Sequence, residues 1–402
     1  MHAPRRPTSR AALIASGALV TLATLVACGG GSSPSTSSTT TTTSSTTGGT
    51  GGSGGSSGTG GSGGSGGGTA CPPGSHPGAI SPCEAVLTSW DLGPPLKHKR
   101  DHHVTFVSET PAGAFLYVVA GMGSVAPALP MERAPIAADG TLGSFTDIGN
   151  VPAALIGPGL AQVGRSFVLG GGLGADSNSS AATYVGQVGD DGKITLTPGP
   201  DLGASRYHVS LAYVKGFVFA LGGLFQQVNG GMVKQEIVDT IERATFDGTT
   251  LSAFTMMPPL PVKLTHHATL VHNDAIYVIG GGSDVAALPD IRRATVSDAG
   301  ELGPWETVGQ LPEGRGSPSA LVFLDQLYVI AGMASLTGGE QATVLRGPIG
   351  AAGQVGAFEV LDPLPMARAH SHQTPLYAGH LYSTGGSIKH VPQNQVYIGT
   401  LQ

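Results

Sequence analysis

The chain has 402 residues, with 26 acidic side chains against 20 Lys and Arg and a formal net charge of −6. Charged residues make up only 11% of it, while 64 Gly and 29 Pro punctuate it throughout. Its one basic run, Lys97-His98-Lys99-Arg100, is too short for a nucleic-acid interface, and an acidic balance of this size serves solubility. Nucleic acid is therefore set aside as a partner class.

In chain order, the first element is a targeting segment. Arg5, Arg6 and Arg10 precede the apolar run Ala11–Val26, which is shorter than the roughly 20 residues a membrane span needs. The run ends in Leu25-Val26-Ala27-Cys28, which resembles the lipobox of bacterial lipoproteins. That resemblance implies cleavage of residues 1–27 and a lipid on Cys28. Cleavage removes three of the 20 Lys and Arg and none of the 26 acids, which leaves 17 against 26 and a net charge near −9. No second apolar stretch approaches membrane length, so the expected anchor is lipid alone. Gly29, where an Asp is the common inner-membrane retention cue, points to the outer membrane or cell surface.

Residues 28–70 hold Cys28 and then an almost unbroken Gly, Ser and Thr linker, which cannot bury apolar surface. As a flexible coil, such a stretch spans about 35 Å end to end. Cys71 and Cys83 then close a short Pro/Gly-rich loop over 71–84. In an exported chain this pair predicts a disulfide, with a metal pair around His76 as the other reading.

From residue 85 to 402 the pattern is all-β. Short runs of Val, Ile, Leu, Tyr and Phe recur every 50 residues or so, between Gly and Pro. Three landmarks set the register. The first is a large apolar residue followed six positions later by an aliphatic one, as in Trp90/Leu96, Phe145/Val151, Leu196/Leu202, Phe254/Leu260, Trp305/Leu311 and Phe358/Leu364. Four positions further stand Arg100, Leu155, Arg206, Leu264, Arg315 and Arg368. The second landmark is a strand ending in small residues and beginning at Tyr117, Phe167, Phe219, Tyr277, Tyr328 or Tyr382. The third is a strand followed by a Gly turn, as in Arg133 with Asp139-Gly140, Arg243 with Asp247-Gly248 and Arg293 with Gly300.

These residues resemble the kelch repeat, most closely at Leu311-Pro312-Glu313-Gly314-Arg315 and Leu364-Pro365-Met366-Ala367-Arg368. The resemblance implies a six-bladed β-propeller whose blades stack their apolar faces around an axis. Gln395–Gln402 reads as the third strand of the last blade. Its missing outer strand is supplied by Val86–Trp90, so an N-terminal strand closes the ring. Repeat two departs furthest from the pattern, with Leu155 for Arg and Leu196 for the aromatic.

Catalytic signatures are missing. There is no Gly-x-Ser-x-Gly elbow, phosphate-binding loop, His-Glu-x-x-His or EF-hand loop, and no Cys after Cys83 to build the Cys–Tyr cofactor of copper-radical oxidases. What stands out is histidine placement. Two residues past the Arg position come His102, Gly157, His208, His266, Ser317 and His370, with His103, His267 and His372 close by. Arg100, His102, Arg206, His208, His266, Arg368 and His370 therefore form the candidate ligand-binding set, against the plainer reading that they pack blades. Around a closed ring, His370/His102 and His208/His266 fall in two sectors on opposite sides of one mouth. Protonated, they would attract a carboxylate. A metal needs three or four ligands at about 2.0–2.2 Å, which such a ring spreads too widely.

The expectation is a monomeric, surface-anchored binding module for a glycan or protein ligand, with no cofactor and no metal. A sugar-processing enzyme of the kelch mutarotase kind and a structural envelope lipoprotein are the other readings. No catalytic residue transfers to the former.

Overall fold

An apolar run with no polar face must be covered on both sides, and the second strand of most repeats is of this kind. Leu116–Val119, Ile276–Ile279 and Leu327–Ile330 are wholly buried. In the computed structural model, which describes residues 71–76, 83–128, 130–283 and 286–402, the cover comes from six four-stranded antiparallel sheets arranged as a propeller. The expected targeting segment, the expected lipid site at Cys28 and the linker lie outside the described residues.

From the axis outward, blade one comprises Val104–Thr110, Gly113–Val119, Pro130–Ile136 and Thr146–Asn150, and blade two Gly159–Val163, Ser166–Gly170, Thr183–Val188 and Ile194–Pro198. Blade three comprises Ser210–Val214, Phe217–Leu221, Ile241–Thr245 and Thr255–Met257, and blade four Ala268–His272, Ala275–Ile279, Asp290–Thr295 and Glu306–Gln310. Blade five comprises Ser319–Phe323, Gln326–Ile330, Val344–Pro348 and Glu359–Leu361. Blade six takes Leu376–Tyr377, His380–Thr384 and Val396–Leu401 from the C-terminal end and Leu87–Leu92 from the N-terminal side. The closing strand is thus the expected one: Trp90 pairs with Gly399, and its indole donates to Asp362 O of blade five at 3.1 Å.

Six apolar clusters fill the gaps between neighbouring blades, one per interface. Each fully buried aliphatic or aromatic side chain contributes about 1.5–3 kcal/mol, so these interfaces dominate stability. Main-chain hydrogen bonds then lock the ring. After each second strand two consecutive residues take positive φ: Ala120-Gly121, Gly171-Gly172, Gly222-Gly223, Gly280-Gly281, Ala331-Gly332 and Gly385-Gly386. The amide of the second donates to the carbonyl at the Arg position of the next blade: Gly121 to Leu155, Gly172 to Arg206, Gly223 to Leu264, Gly281 to Arg315, Gly332 to Arg368 and Gly386 to Arg100, all at 2.8–3.0 Å. A Cβ on Gly121 would stand 2.4 Å from Asp101 O, so this second position takes only glycine, while alanine is accepted at the first.

Blade two corrects the sequence register. There the positive-φ pair is Gly171-Gly172, one residue later than the alignment of Phe167 with Tyr117 implies. Val168 occupies the place of Tyr117 and packs toward blade three, while Phe167 turns back into the interface with blade one. A one-residue slip sends a strand side chain to the opposite face, so an alignment on aromatic character alone misplaced it.

Cys71 and Cys83 form the predicted disulfide. Main-chain bonds between His76 and Glu84 close the loop, and Gly74 sits so tightly on Gly379 of blade six that a Cβ there would clash at 2.5 Å.

Candidate functional site

Inner strands begin, and second strands end, at the same end of the axis. The residue before each histidine position bridges the residue after each positive-φ pair: Asp101 with Met122, Ile156 with Leu173, Tyr207 with Leu224, Thr265 with Gly282, Gly316 with Met333 and Ala369 with Ser387. The loops between second and third strands therefore frame one mouth. At its centre, His102, Gly157, His208, His266, Ser317 and His370 all take positive φ, between 46° and 63°. Their main chains join around the axis, with His102 N to His370 O, Gly157 N to His102 O, His208 N to Gly157 O and Ser317 N to His266 O at 2.6–2.9 Å.

This conformation throws the side chains inward. His102 stacks on His370 at 3.9 Å and His208 on His266 at 3.6 Å, as the sequence pairing anticipated. The two pairs are not held apart across the mouth, however. His102 meets His208 edge-on at 4.9 Å, and His266 lies 5.7 Å from His370. His372 sits below, 5.8–6.3 Å from His102, His208 and His370. The central strands are short and close-packed, so the mouth is narrow enough for opposite sectors to touch.

Electrostatics also differ from the expectation. Burial, then the neighbouring imidazoles, push His208, His266 and His370 well below the usual histidine range. His372 and His267 are lowered to about 3. These rings are neutral near pH 7, and beside them the buried Asp101 Oδ1 holds His102 Nδ1 at 2.7 Å. Those five rings do not present the positive field that protonated histidines would supply. Beneath it an axial cavity of about 80 Å³ is lined by Ser210, His267, Thr269, His372 and Gln373. The His267 ring nitrogens, His372 Nε2 and Thr269 Oγ1 have no protein partner, a set that suits a few ordered waters.

The arginines of the candidate set do not join the histidines. Arg100 turns into blade one and pairs with Glu132 at 2.5 Å, and Arg206 pairs with Glu242 in blade three at 2.6 Å, all four side chains being buried. Arg368 donates to Gly385 O at 2.8 Å and lies over the Tyr397 ring at 4.5 Å. Their partners escaped sequence reading, although a signal existed. Glu132 and Glu242 stand immediately before Arg133 and Arg243, on the third-strand position that holds Tyr184, Arg292, Leu345 and Tyr397 in the other blades. The acid occurs only where the Arg position is Arg, and both blades with Leu there lack it.

Around the mouth, large apolar side chains stand exposed: Val125 (95%), Met232 (79%), Val233 (60%), Val391 (53%) and Met366 (39%). Met232 and Val233 tip a hairpin, Leu224–Asn229 with Met232–Ile237, that projects from blade three. Its inner edge is latched to blade two through Ser179 N to Gln226 O (2.9 Å) and Val228 N to Asn178 Oδ1 (2.7 Å). Beside the latch lies a cavity of about 460 Å³ lined by Ala153, Ala154, Ser179 and Ala182 and by Leu155, which stands at the Arg position of blades one and three. Nothing in the hydrophobic pattern distinguished this hairpin from a blade strand.

Sheet architecture, repeat register and N-terminal closure together define a six-bladed β-propeller. Kelch proteins are what the chain is similar to in sequence. It is 27% identical over 291 residues to the Kelch-like protein terF of Aspergillus terreus, covering 66% of this chain and 57% of that protein. Alpha-scruin of Limulus polyphemus is 26% identical over 134 residues, 33% of this chain and 14% of the relative. The ectromelia virus Kelch repeat and BTB domain-containing protein 1 is 26% identical over 121 residues, 30% of this chain and 19% of the relative. The chain thus spans little more than half the length of the first of these relatives. No family model matches it.

Proposed function

We propose that this propeller is a protein-interaction module, held at the cell envelope by lipid on Cys28 and spaced from the membrane by the linker of residues 29–70. Ten large apolar side chains stand exposed among the described residues; the five of them in loops on the mouth's face, Val125, Met232, Val233, Met366 and Val391, carry the docking assignment. Apolar side chains gathered on one face beside a cavity mark an association surface, whereas singly scattered ones need no explanation. The latched hairpin holds Met232 and Val233 in place before a partner arrives, which lowers the ordering cost of binding. The blade-two cavity beside it fits an apolar side chain of the partner. Kelch propellers as a group serve protein interactions, and the chemistry of this face agrees with that use.

Crosslinking of the intact protein in its native envelope tests the assignment. A partner that co-purifies with the wild type is expected to be lost from the Met232→Ser/Val233→Ser variant at unchanged melting temperature. Retention of that partner overturns the docking face. Glycan binding that survives the same change would favour the sugar-ligand reading. Cys28→Ser is expected to move the protein from the membrane fraction to the soluble one, and a wild type that is already soluble rejects the anchor.

A further inference from the structure

The histidine positions are glycine positions by conformation. All six sites have φ in the left-handed region, and blade two places Gly157 there. A non-glycine residue in that region costs of order 1 kcal/mol, and such strain collects at functional sites. The fold needs no imidazole here, because Gly157 and Ser317 take the same main-chain conformation and bonds at this position. Four histidines on this ring therefore call for an explanation other than packing.

Chemistry supplies one. Five of the six ring pairs among His102, His208, His266 and His370 stand 3.6–6.0 Å apart between centroids. Three of them have Nδ1 held by an oxygen, His102 by Asp101 (2.7 Å), His370 by Ser387 (3.0 Å) and His266 by Thr265 (3.2 Å). No hydrogen bond occupies Nε2 on any of the four. The Asp101 carboxyl orients the His102 ring through Nδ1 and leaves Nε2 without a hydrogen-bond partner. An imidazole oriented by a carboxylate or hydroxyl at one nitrogen, with the other nitrogen free, is the usual arrangement around a protein-bound metal.

We propose that His102, His208, His266 and His370 form a binding site for a divalent first-row transition-metal ion, oriented by Asp101, Thr265 and Ser387. Neutral imidazoles suit Zn²⁺, Cu²⁺ and Ni²⁺, and Asp101 offsets part of the ion's charge. Among the described residues no three donors already stand as a formed metal site. The stacked pairs hold the rings at van der Waals distance, and binding turns them about their side-chain torsions to aim Nε2 at one ion. Spacing was the reason to set a metal aside from sequence, and the convergence of the two pairs removes it. The site is independent of the apolar docking face.

Zn²⁺ titration of the full chain is the test, performed without an affinity tag after chelator treatment. A Cys28→Ser background removes the thiol outside the Cys71–Cys83 disulfide. One Zn²⁺ is expected to bind saturably and raise the melting temperature. Replacing all four histidines by Gly should abolish that binding without lowering the metal-free melting temperature. The four-fold Asn variant, whose side chain also tolerates positive φ, should behave alike and serves if the Gly variant does not fold. Asp101→Asn should weaken Zn²⁺ about 10-fold as a positioning residue. No saturable Zn²⁺ binding by the wild type, or undiminished binding by the four-fold variants, overturns the proposal. So does a large fall in metal-free stability of both variants, which would make the histidines packing residues.

Discussion

Two rings of residues encircle the mouth, only two positions apart in sequence, and they do opposite things. The outer ring, at Arg100, Leu155, Arg206, Leu264, Arg315 and Arg368, acts through its carbonyls, each taking an amide from the preceding blade. Its side chains turn away into their own blades and vary with the residue opposite. The inner ring, from His102 to His370, acts through its side chains, which a left-handed main chain throws onto the axis. One ring carries the load of closure and is indifferent to side chain at the axis. The other accepts Gly and Ser without breaking, so its histidines are available for chemistry.

Breaking closure altogether gives the largest effect. Deleting residues 85–95 strips blade six of its outer strand and exposes the edge of Val396–Leu401, and cooperative unfolding is expected to be lost. A sharp melting transition near that of the intact chain would reject N-terminal closure. Next comes the buried charge behind the outer ring. Arg100→Met leaves Glu132 buried and uncompensated and should cost about 3–5 kcal/mol by denaturant unfolding. Arg100→Leu with Glu132→Tyr, copying Leu155 and Tyr184 of blade two, should recover most of that loss. Failure to recover would mean the ion pair stabilises blade one beyond simple mutual compensation.

Acid sharpens the contrast more gently. Unfolded imidazoles take protons near pH 6.5, whereas His208, His266 and His370 resist them and His267 and His372 hold out to about 3. Below pH 6.5 the unfolded state therefore binds more protons, so stability present above that pH falls steadily as pH drops toward 3. Denaturant midpoints measured in chelator from pH 7.5 to 4.5 would show the slope, and a flat profile contradicts burial of neutral rings. The smallest effect belongs to a single inner-ring change. His266→Gly should alter metal-free stability by less than about 1 kcal/mol, because relief at positive φ offsets lost stacking. A loss of several kcal/mol would return the histidines to a packing role.

Repeat spacing, the six aromatic landmarks and the closing strand at Val86–Trp90 were legible because blade architecture depends on local, repeated chemistry. Apolar runs must be covered on both faces, and only stacking identical units does so. Blade two shows where that legibility stops, since Phe167 and Val168 are both apolar and only the turn at Gly171-Gly172 reveals which one faces blade three. The hairpin Leu224–Ile237 escaped because it lies between two landmarks of one repeat and buries almost no side chain of its own.

The sequence by itself determined the number of blades, the ring closure, the disulfide and the periodic placement of His102, His208, His266 and His370, all of which follow from spacing along one chain. Only the tertiary structure decided what those positions mean. How close opposite sectors approach depends on the width of the axial space. Whether an arginine faces a ligand or a buried glutamate depends on the strand paired beside it. Whether an imidazole is charged depends on the water and neighbours left to it once six blades have closed, and none of these is a property of the residue alone.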